Sequence, residues 1–232
     1  MGGGGCGGCG GGAGSEGIFE FSYATQSNTT RNSWVVRTKV EHKVSGTVMW
    51  TRYVDGNYLG EVWQDVLLSD DGDHSKPLWG QRFDRDSSTG QITAWYTPSS
   101  ISDYNTGSHA FTYVNAGVVY DYTYDSSAKQ MATARIRQYS ESTGDARYLG
   151  KWEYVSSDPN FAYRTRYLLD KAHSYPDETN DPNDAGRLTT DFDYVMMPDS
   201  GNLDGDGSST EPTDRPLVRK TTHPTVGTGQ NG

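Results

Sequence analysis

Apolar and polar residues alternate with a period of two along much of this chain, in short runs that end at turn residues. Successive side chains of a β-strand point to opposite faces, so this pattern is typical of strands with one polar face. Ten strands are predicted in this way: Ile18–Tyr23, Trp34–Val44, Thr47–Val54, Tyr58–Leu68, Leu78–Phe83, Gln91–Tyr96, Ala110–Val114, Val118–Tyr124, Met131–Tyr139 and Tyr148–Val155. The turn residues Asp55, Gly56 and Asn57 predict a hairpin between the third and fourth of them.

One segment, Asn160–His173, fits two periodicities. Phe161, Leu168 and Ala172 lie near helical spacing, and Asp158 with Pro159 would supply a helix start. As a strand, Phe161 and its alternate neighbours up to Tyr167 fit equally well. The spacing slightly favours a helix.

The fold expected from these patterns is all-β over residues 18–197, an antiparallel β-sandwich or barrel of about ten short strands with at most one helix. The six tryptophans lie in strand candidates and either fill the core or form an exposed platform that stacks sugar rings: Trp34, Trp50, Trp63, Trp79, Trp95 and Trp152.

Both ends of the chain differ from this body. Residues 1–17 are almost entirely glycine, and glycine has the largest backbone entropy to lose, so they are expected to form an arm that orders only on a neighbouring subunit. Residues 198–232 are expected to form an extended tail, in which Arg215–Lys220 predicts a short clamp strand. The residues predicted to make assembly contacts are Gly2, Gly3, Gly4, Gly5, Cys6, Cys9, Leu217, Val218 and Arg219.

Composition excludes several classes of protein. Aromatic residues make up 12% of the 232 residues, which is unlike a disordered chain. The net charge of -10 disfavours nucleic acid as a partner, and no apolar run is long enough for a membrane-spanning helix. Acid is carried by 22 Asp against 8 Glu, and base by 13 Arg against 7 Lys. This bias fits both a turn-rich β-protein and adaptation to high salt.

Residues with catalytic or ligating chemistry are sparse. Cys6 and Cys9 form a single CxxC motif. The first interpretation is that the two thiols are unpaired or oxidised to each other, and the second is that they form an inter-subunit disulfide or a metal contact. The five histidines show no ligand spacing, and no nucleophile motif is present. No catalytic residue is therefore predicted.

Calcium is the one cofactor that the sequence suggests. Asn202, Asp204 and Asp206 occupy the alternating ligand positions of a calcium loop, followed by Gly207 at its sharp turn. The loop departs from the pattern in having Asn at its first position and Thr213 where a bidentate Glu is wanted.

In its layout of a glycine arm, a polar β-body and an irregular tail, the chain resembles structural proteins of tailed viruses, such as tail-tube, neck or capsid-accessory subunits. The resemblance covers organisation and composition, and no residue roles follow from it. It implies a non-enzymatic subunit of a large homo-oligomeric assembly in a virion, with other copies of itself and neighbouring structural proteins as partners. The acidic, lysine-poor composition would fit a virus of salt-loving archaea.

Two alternatives remain open at this stage. The first is a carbohydrate-binding β-sandwich module that is secreted or held at the cell surface. The second is a hydrolase whose catalytic residues are dispersed along the sequence.

Overall fold

The computed structural model describes residues 17–69, 77–156, 167–197 and 215–223. These residues contain fourteen β-strands and one short 3-10 helix, Pro98–Ser100. The strands are β1 (Gly17–Thr25), β2 (Val36–Val44), β3 (Thr47–Gly56), β4 (Val62–Ser69), β5 (Pro77–Arg85), β6 (Ile92–Tyr96), β7 (Ile101–Asn105), β8 (Ala110–Tyr113), β9 (Val118–Tyr124), β10 (Met131–Gln138), β11 (Arg147–Ser156), β12 (Tyr167–Ser174), β13 (Leu188–Met197) and β14 (Arg215–Thr222).

Twelve of these strands form one sheet in the order β1-β2-β3-β4-β5-β6-β9-β10-β11-β12-β13-β14, while β7 and β8 pair only with each other. Neighbours in the sheet follow one another along the chain, except that β9 lies beside β6 because β7 and β8 leave the sheet, and they pair antiparallel wherever their register is defined. The predicted all-β, antiparallel class is therefore confirmed. Within the described residues no pairing joins β1 to β14, so the sheet has two edges there and no barrel closure.

The helix favoured over Asn160–His173 is wrong for its described part, because Tyr167–Ser174 is strand β12. Pairing explains the outcome: Lys171 lies opposite Glu153 of β11 on one side and opposite Asp191 of β13 on the other. A segment with strands on both sides satisfies its backbone groups in the sheet, and this overrides a marginal helical spacing. Four strands are added to the expected ten: β12, β14, where the sequence predicted a short clamp strand, and β7 and β13, which were not predicted.

Chain contacts divide the molecule into two compact units. The first comprises the described residues of Met1–Tyr122 with Ile136–Ala146, and the second those of Thr123–Arg135 with Arg147–Gly232.

In the first unit the β7–β8 hairpin lies as a second layer on the sheet, against β5. Gly80 makes this close approach feasible, because a Cβ atom at this position would lie 3.1 Å from Phe111 Cε1 and 3.4 Å from Ile101 Cδ1. The core of the unit sits at this contact. Its fully buried side chains are Val66, Leu68 and Tyr104, with Tyr53 and Phe111 packed against them. All six tryptophans lie outside this core and are half-buried.

In the second unit a long turn after β12 returns to the start of β11. The backbone N–H of Tyr148 donates to the carbonyl of Thr179 at 2.8 Å, and the rings of Tyr148 and Tyr175 lie 5.2 Å apart. The hydroxyl of Tyr175 donates to the Pro182 carbonyl at 2.7 Å. These contacts hold the turn on the sheet of this unit.

Candidate interaction surface

The sheet of the first unit has two chemically different faces. One, which we call the covered face, carries Tyr53, Val66 and Gly80 and lies under the β7–β8 hairpin. The opposite one, which we call the aromatic face, is defined by three cross-strand rows: Phe19, His42 and Trp50; Phe21, Val40, Arg52, Leu67 and Trp79; and Phe83, Trp95 and Tyr120. Their alternation along each strand and their register across strands put these side chains on one side of the pleat.

Aromatic rings are in direct contact within these rows. The ring of Phe19 lies 4.9 Å from that of His42, which lies 5.4 Å from that of Trp50. At the other end, Trp95 stacks on Tyr120 with centroids 5.3 Å apart and planes 20° apart. Rings held by their neighbours in this way lose little side-chain entropy when another surface covers them.

Exposure on the aromatic face is greatest at β1, where all nine residues are exposed. Phe19, Phe21 and Tyr23 are 55%, 58% and 70% exposed. β1 pairs with β2 on one side, and no strand of the described chain pairs with its other side. It therefore offers apolar side chains and unpaired backbone groups together, the combination that invites association with another chain.

Among the described strands and helices, none forms a layer on the aromatic face like the one on the covered face. Among the parts of the chain that the structure describes, the β7–β8 hairpin and the adjoining 3-10 helix lie outside this sheet and pack on it, against β5. The position of Gly80 places the hairpin on the covered face. The aromatic rows therefore lack a covering strand or helix within the described residues.

Charge on the aromatic face is balanced locally. Arg52 donates to both carboxylate oxygens of Asp65, at 2.9 Å and 2.6 Å. The hydrogen bond to Asp65 raises the pKa of the Arg52 guanidinium. The pair contributes no net charge to a face that belongs to a strongly acidic molecule.

The covered face holds a buried polar network instead. Arg37 donates to both carboxylate oxygens of Asp55 at 2.6 Å, and Gln64 donates to Asp55 at 2.7 Å and to the carbonyl of His109 at 3.0 Å. The Tyr104 hydroxyl lies 2.8 Å from His109 Nδ1. Burial raises the pKa of Tyr104 and lowers that of His109. This network links β2, β3 and β4 to the hairpin.

A second cluster on the covered face joins β5, β6 and β8. Arg82 donates to Asp84 at 2.9 Å and to the Tyr113 hydroxyl at 3.1 Å, and Tyr96 donates to Asp84 at 3.1 Å. Burial, with the Asp84 carboxylate nearby, raises the pKa of Tyr96 to about 12. Arg82 and Asp84 bind each other, and the hydrogen bond from Arg82 to Tyr113 connects this pair to β8. The observed contacts of the cluster therefore hold the hairpin on the sheet.

In the second unit His173 is buried between strands. Its Nδ1 lies 2.8 Å from the Thr189 hydroxyl, and its Nε2 lies 3.3 Å from Glu153 Oε1, which Lys151 also contacts at 2.8 Å. Burial lowers the pKa of His173, although Glu153 acts in the opposite direction.

The predicted contact residues fall in different places. Leu217, Val218 and Arg219 lie in β14, where Leu217 pairs with Val195 and Val218 with Tyr194 of the same chain. The clamp segment is thus a strand, and its backbone partner on one side is β13. The arm residues Gly2, Gly3, Gly4, Gly5, Cys6 and Cys9 lie outside the described residues, and their role stays a prediction.

The proposed calcium ligands Asn202, Asp204 and Asp206 also lie outside the described residues. Within the described ranges, no group of three or more His, Cys, Asp or Glu side chains is arranged to hold a metal ion. In the same ranges, no helix has the length and apolar character needed to cross a bilayer.

Sequence reasoning did not identify the aromatic face, although its signals are in the sequence. Phe19, Phe21 and Tyr23 alternate along β1, and Trp79 and Phe83 keep the same phase along β5. Alternation shows which side chains of one strand share a face. The register of seven strands is needed to show that the aromatic residues of different strands lie side by side on the same face.

Comparison with known proteins adds no relative. No protein-family model matches the chain, and no curated protein matches it in sequence.

Proposed function

We propose that this protein is a non-enzymatic structural subunit of a large homo-oligomeric assembly. The observation that carries the proposal is β1, which lies at an edge of the sheet formed by the described strands; its nine residues are all exposed and include Ile18, Phe19, Phe21 and Tyr23. Soluble proteins generally protect such an edge with charges, proline or a covering element. β1 has neither proline nor more than one charged residue, Glu20.

Such an exposed apolar strand is expected in a subunit that associates with other chains. Burying apolar side chains against another chain stabilises association by about 25 cal/mol per Å² of apolar surface. The terminal segments would further stabilise the association. The arm, with Gly2–Gly5, Cys6 and Cys9, would bind a neighbouring copy. Leu217–Arg219 would bind through the outer edge of β14, a strand that pairs only with β13 among the described strands.

We further propose that the assembly is a virion structure of the tail, neck or capsid-accessory type, in contact with other copies and neighbouring structural proteins. The support is the order of arm, β-body and tail together with the acidic, lysine-poor composition. That composition points to a virus of salt-loving archaea.

The mass of the native protein tests the proposal. Multi-angle light scattering of the full chain at about 10–100 µM is expected to give a multiple of 25.5 kDa, since standard-sized protein interfaces commonly reach micromolar affinity or better. Measurement in both 0.1 M and 3 M KCl covers the salt conditions proposed for the virus. A monomer in both conditions contradicts the proposal.

A carbohydrate-binding module is the second candidate, and one observation favours it. Trp95 stacks on Tyr120 and lies 6.3 Å from Phe83, which makes a row of half-buried rings of the kind that sugar rings stack on. The test is Trp fluorescence during titration with soluble glycans. Saturable quenching by a monomer that Trp95→Ala abolishes and Trp34→Ala preserves would establish this function in place of the first.

A further inference from the structure

We propose that the aromatic face packs against the same face of a second copy of this chain, sheet on sheet across a two-fold axis. This inference rests on the proposed function and specifies which surface makes the subunit contact. Each copy would supply one layer of a two-sheet sandwich, so that the intermolecular contact builds the hydrophobic layer which one chain leaves open on this side.

The face needs a cover because its apolar side chains form one continuous surface. The three rows run from β1 to β9 through five intervening strands, and Phe21, Val40 and Leu67 lie in one of them. A sheet with one covered face ordinarily alternates apolar with polar residues, with the polar set facing water. Here the rows facing away from the hairpin are the aromatic ones.

The segments outside the described residues have few apolar side chains with which to cover this surface. The segments that lie outside the described residues contain five large aliphatic or aromatic side chains, Met1, Phe161, Tyr163, Leu203 and Val226, spread over four separate stretches. The other residues in these segments are mostly Gly, Ser, Thr, Asp and Pro. A second copy, in contrast, supplies an aromatic surface of equal size.

The net charge of the chain also favours a second copy as the partner that covers the aromatic face. Two copies that each carry a net charge of -10 repel one another, so contact is least costly through a surface with no net charge. The aromatic face meets this condition, because its Arg52 and Asp65 neutralise each other. The exposed guanidinium of Arg52 also suits a partner rich in aromatic rings, which arginine contacts by stacking.

The size of the face is sufficient. Seven strands spaced about 4.8 Å apart, each with two or three positions on this side of the pleat when the residues between the aromatic rows are included, cover roughly 600 Å² per copy. Two such surfaces together exceed the roughly 1,000 Å² that separates specific interfaces from incidental contacts. Sheets that pack face to face lie about 10 Å apart and cross at about −30°, a geometry that two copies of one twisted sheet adopt readily.

Two matched variants of β1 test the proposal. Phe21 and Ile18 are 58% and 59% exposed, but they point to opposite sides of the strand, and only Phe21 lies on the aromatic face. Phe21→Glu places an unpaired charge in the proposed interface, whereas Ile18→Glu places the same charge on the other side of the same edge strand. Both proteins are compared with the wild type by light scattering across a dilution series.

The expected result is that Phe21→Glu raises the concentration of half-dissociation at least about 30-fold, as substitutions at interface hot spots do, while Ile18→Glu changes it less than about threefold. Far-UV circular dichroism checks that each variant folds. Tyr23→Glu, at a still more exposed position of the same face, replaces Phe21→Glu if that variant fails to fold and is expected to act alike.

Three outcomes overturn the inference. An oligomer that the aromatic-face variants leave intact uses another surface, and an oligomer that Ile18→Glu disrupts equally depends on the strand edge; in both cases the proposed function stands. A wild-type protein that is monomeric throughout overturns both proposals, because the aromatic face is then either free or covered by the chain itself.

Discussion

The Arg37–Asp55 pair shows how single residues hold this fold together. Both side chains are buried, and their two hydrogen bonds are joined by a third from Gln64. A buried carboxylate is tolerated only with such partners, because the interior does not replace the water it loses. The guanidinium of Arg37 also lies 4.1 Å from the ring of Trp34, which covers it from solvent.

Asp55→Asn is therefore expected to destabilise the protein by about 3–5 kcal/mol, since it leaves the Arg37 charge buried without its counter-ion. The measurement is urea unfolding at neutral pH. Glu20→Gln is the control, because Glu20 pairs with Lys43 at the exposed edge, where such pairs contribute little. Equal stability of Asp55→Asn and wild type would show that the pair does not hold the covered face.

The buried His173 predicts how stability depends on pH. Burial lowers its pKa in the folded protein below the ordinary value of about 6.5, so the unfolded chain binds a proton more readily. The contribution of His173 to stability is fully present above pH 6.5 and is lost as the pH falls from there towards the folded pKa. His109, whose pKa burial also lowers, contributes in the same direction.

The unfolding free energy of the wild type is expected to fall between pH 7.5 and pH 5. In the His173→Gln variant we expect this fall to be smaller. The same substitution at the exposed His223 serves as the control for the loss of an imidazole. Denaturant titrations at half-unit pH intervals give the profile. Identical slopes for wild type and His173→Gln would contradict the assignment.

In the strands and hairpins, the secondary structure depends both on the local sequence pattern and on pairing with neighbouring strands. Alternation predicted β1–β6 and β8–β11, because each of these strands carries enough apolar residues of one phase. β13, with Thr and Asp in its first half, shows this signal weakly, and β12 shows a helical period as well. For these two strands the presence of paired neighbours decided the structure.

The departure of the β7–β8 hairpin from the sheet depends on a tight crossing beside the 3-10 helix. Gly117 passes the backbone of Ser100 so closely that a Cβ atom would clash with Ser100 Cα and lie 2.6 Å from the Ser99 carbonyl oxygen. Ser100 is itself fixed by hydrogen bonds from its N–H and its hydroxyl to the Thr97 carbonyl. Gly117 is held on its side by hydrogen bonds from its N–H to the Val114 carbonyl and from the Tyr139 N–H to its own carbonyl.

Gly117→Ala is expected to destabilise the protein by about 3 kcal/mol, the upper range for one extra methyl group in a packed site. Gly144→Ala is the matched control, because its added Cβ would approach nothing closer than the Ser142 hydroxyl oxygen at 3.5 Å. Thermal unfolding of the two variants gives the comparison. A Gly117→Ala variant as stable as the control would mean that the crossing is looser than described.

At the scale of the whole molecule, the excess of aspartate has at least one structural use. Asp86 accepts hydrogen bonds from the Ser88 hydroxyl, from the backbone N–H groups of Thr89 and Ser88 and from the Thr89 hydroxyl, and these hold the pKa of Asp86 well below its usual range. Asp125 binds the turn that follows it in the same way. Turn chemistry thus accounts for part of the bias towards Asp, as expected of a protein with many tight connections.

The remaining acid predicts a response to salt. Thirty acidic against twenty basic side chains repel one another at low ionic strength, and the screening length falls from about 10 Å at 0.1 M to about 3 Å or less at molar salt. We expect the melting temperature to rise between 0.1 M and 3 M KCl. Sucrose at equal osmolality is the control for solvent exclusion. An unchanged melting temperature in KCl would remove the argument for adaptation to high salt.

The sequence by itself determined the all-β class, most of the strands and the chemical difference between body and ends, because alternation and glycine content act locally. Tertiary structure alone decided the register that joins separate aromatic residues into one face, the pairing that made Tyr167–Ser174 a strand, and the placement of the hairpin on one side only. These features depend on which strands become neighbours, and a period of two residues carries no information about its partner.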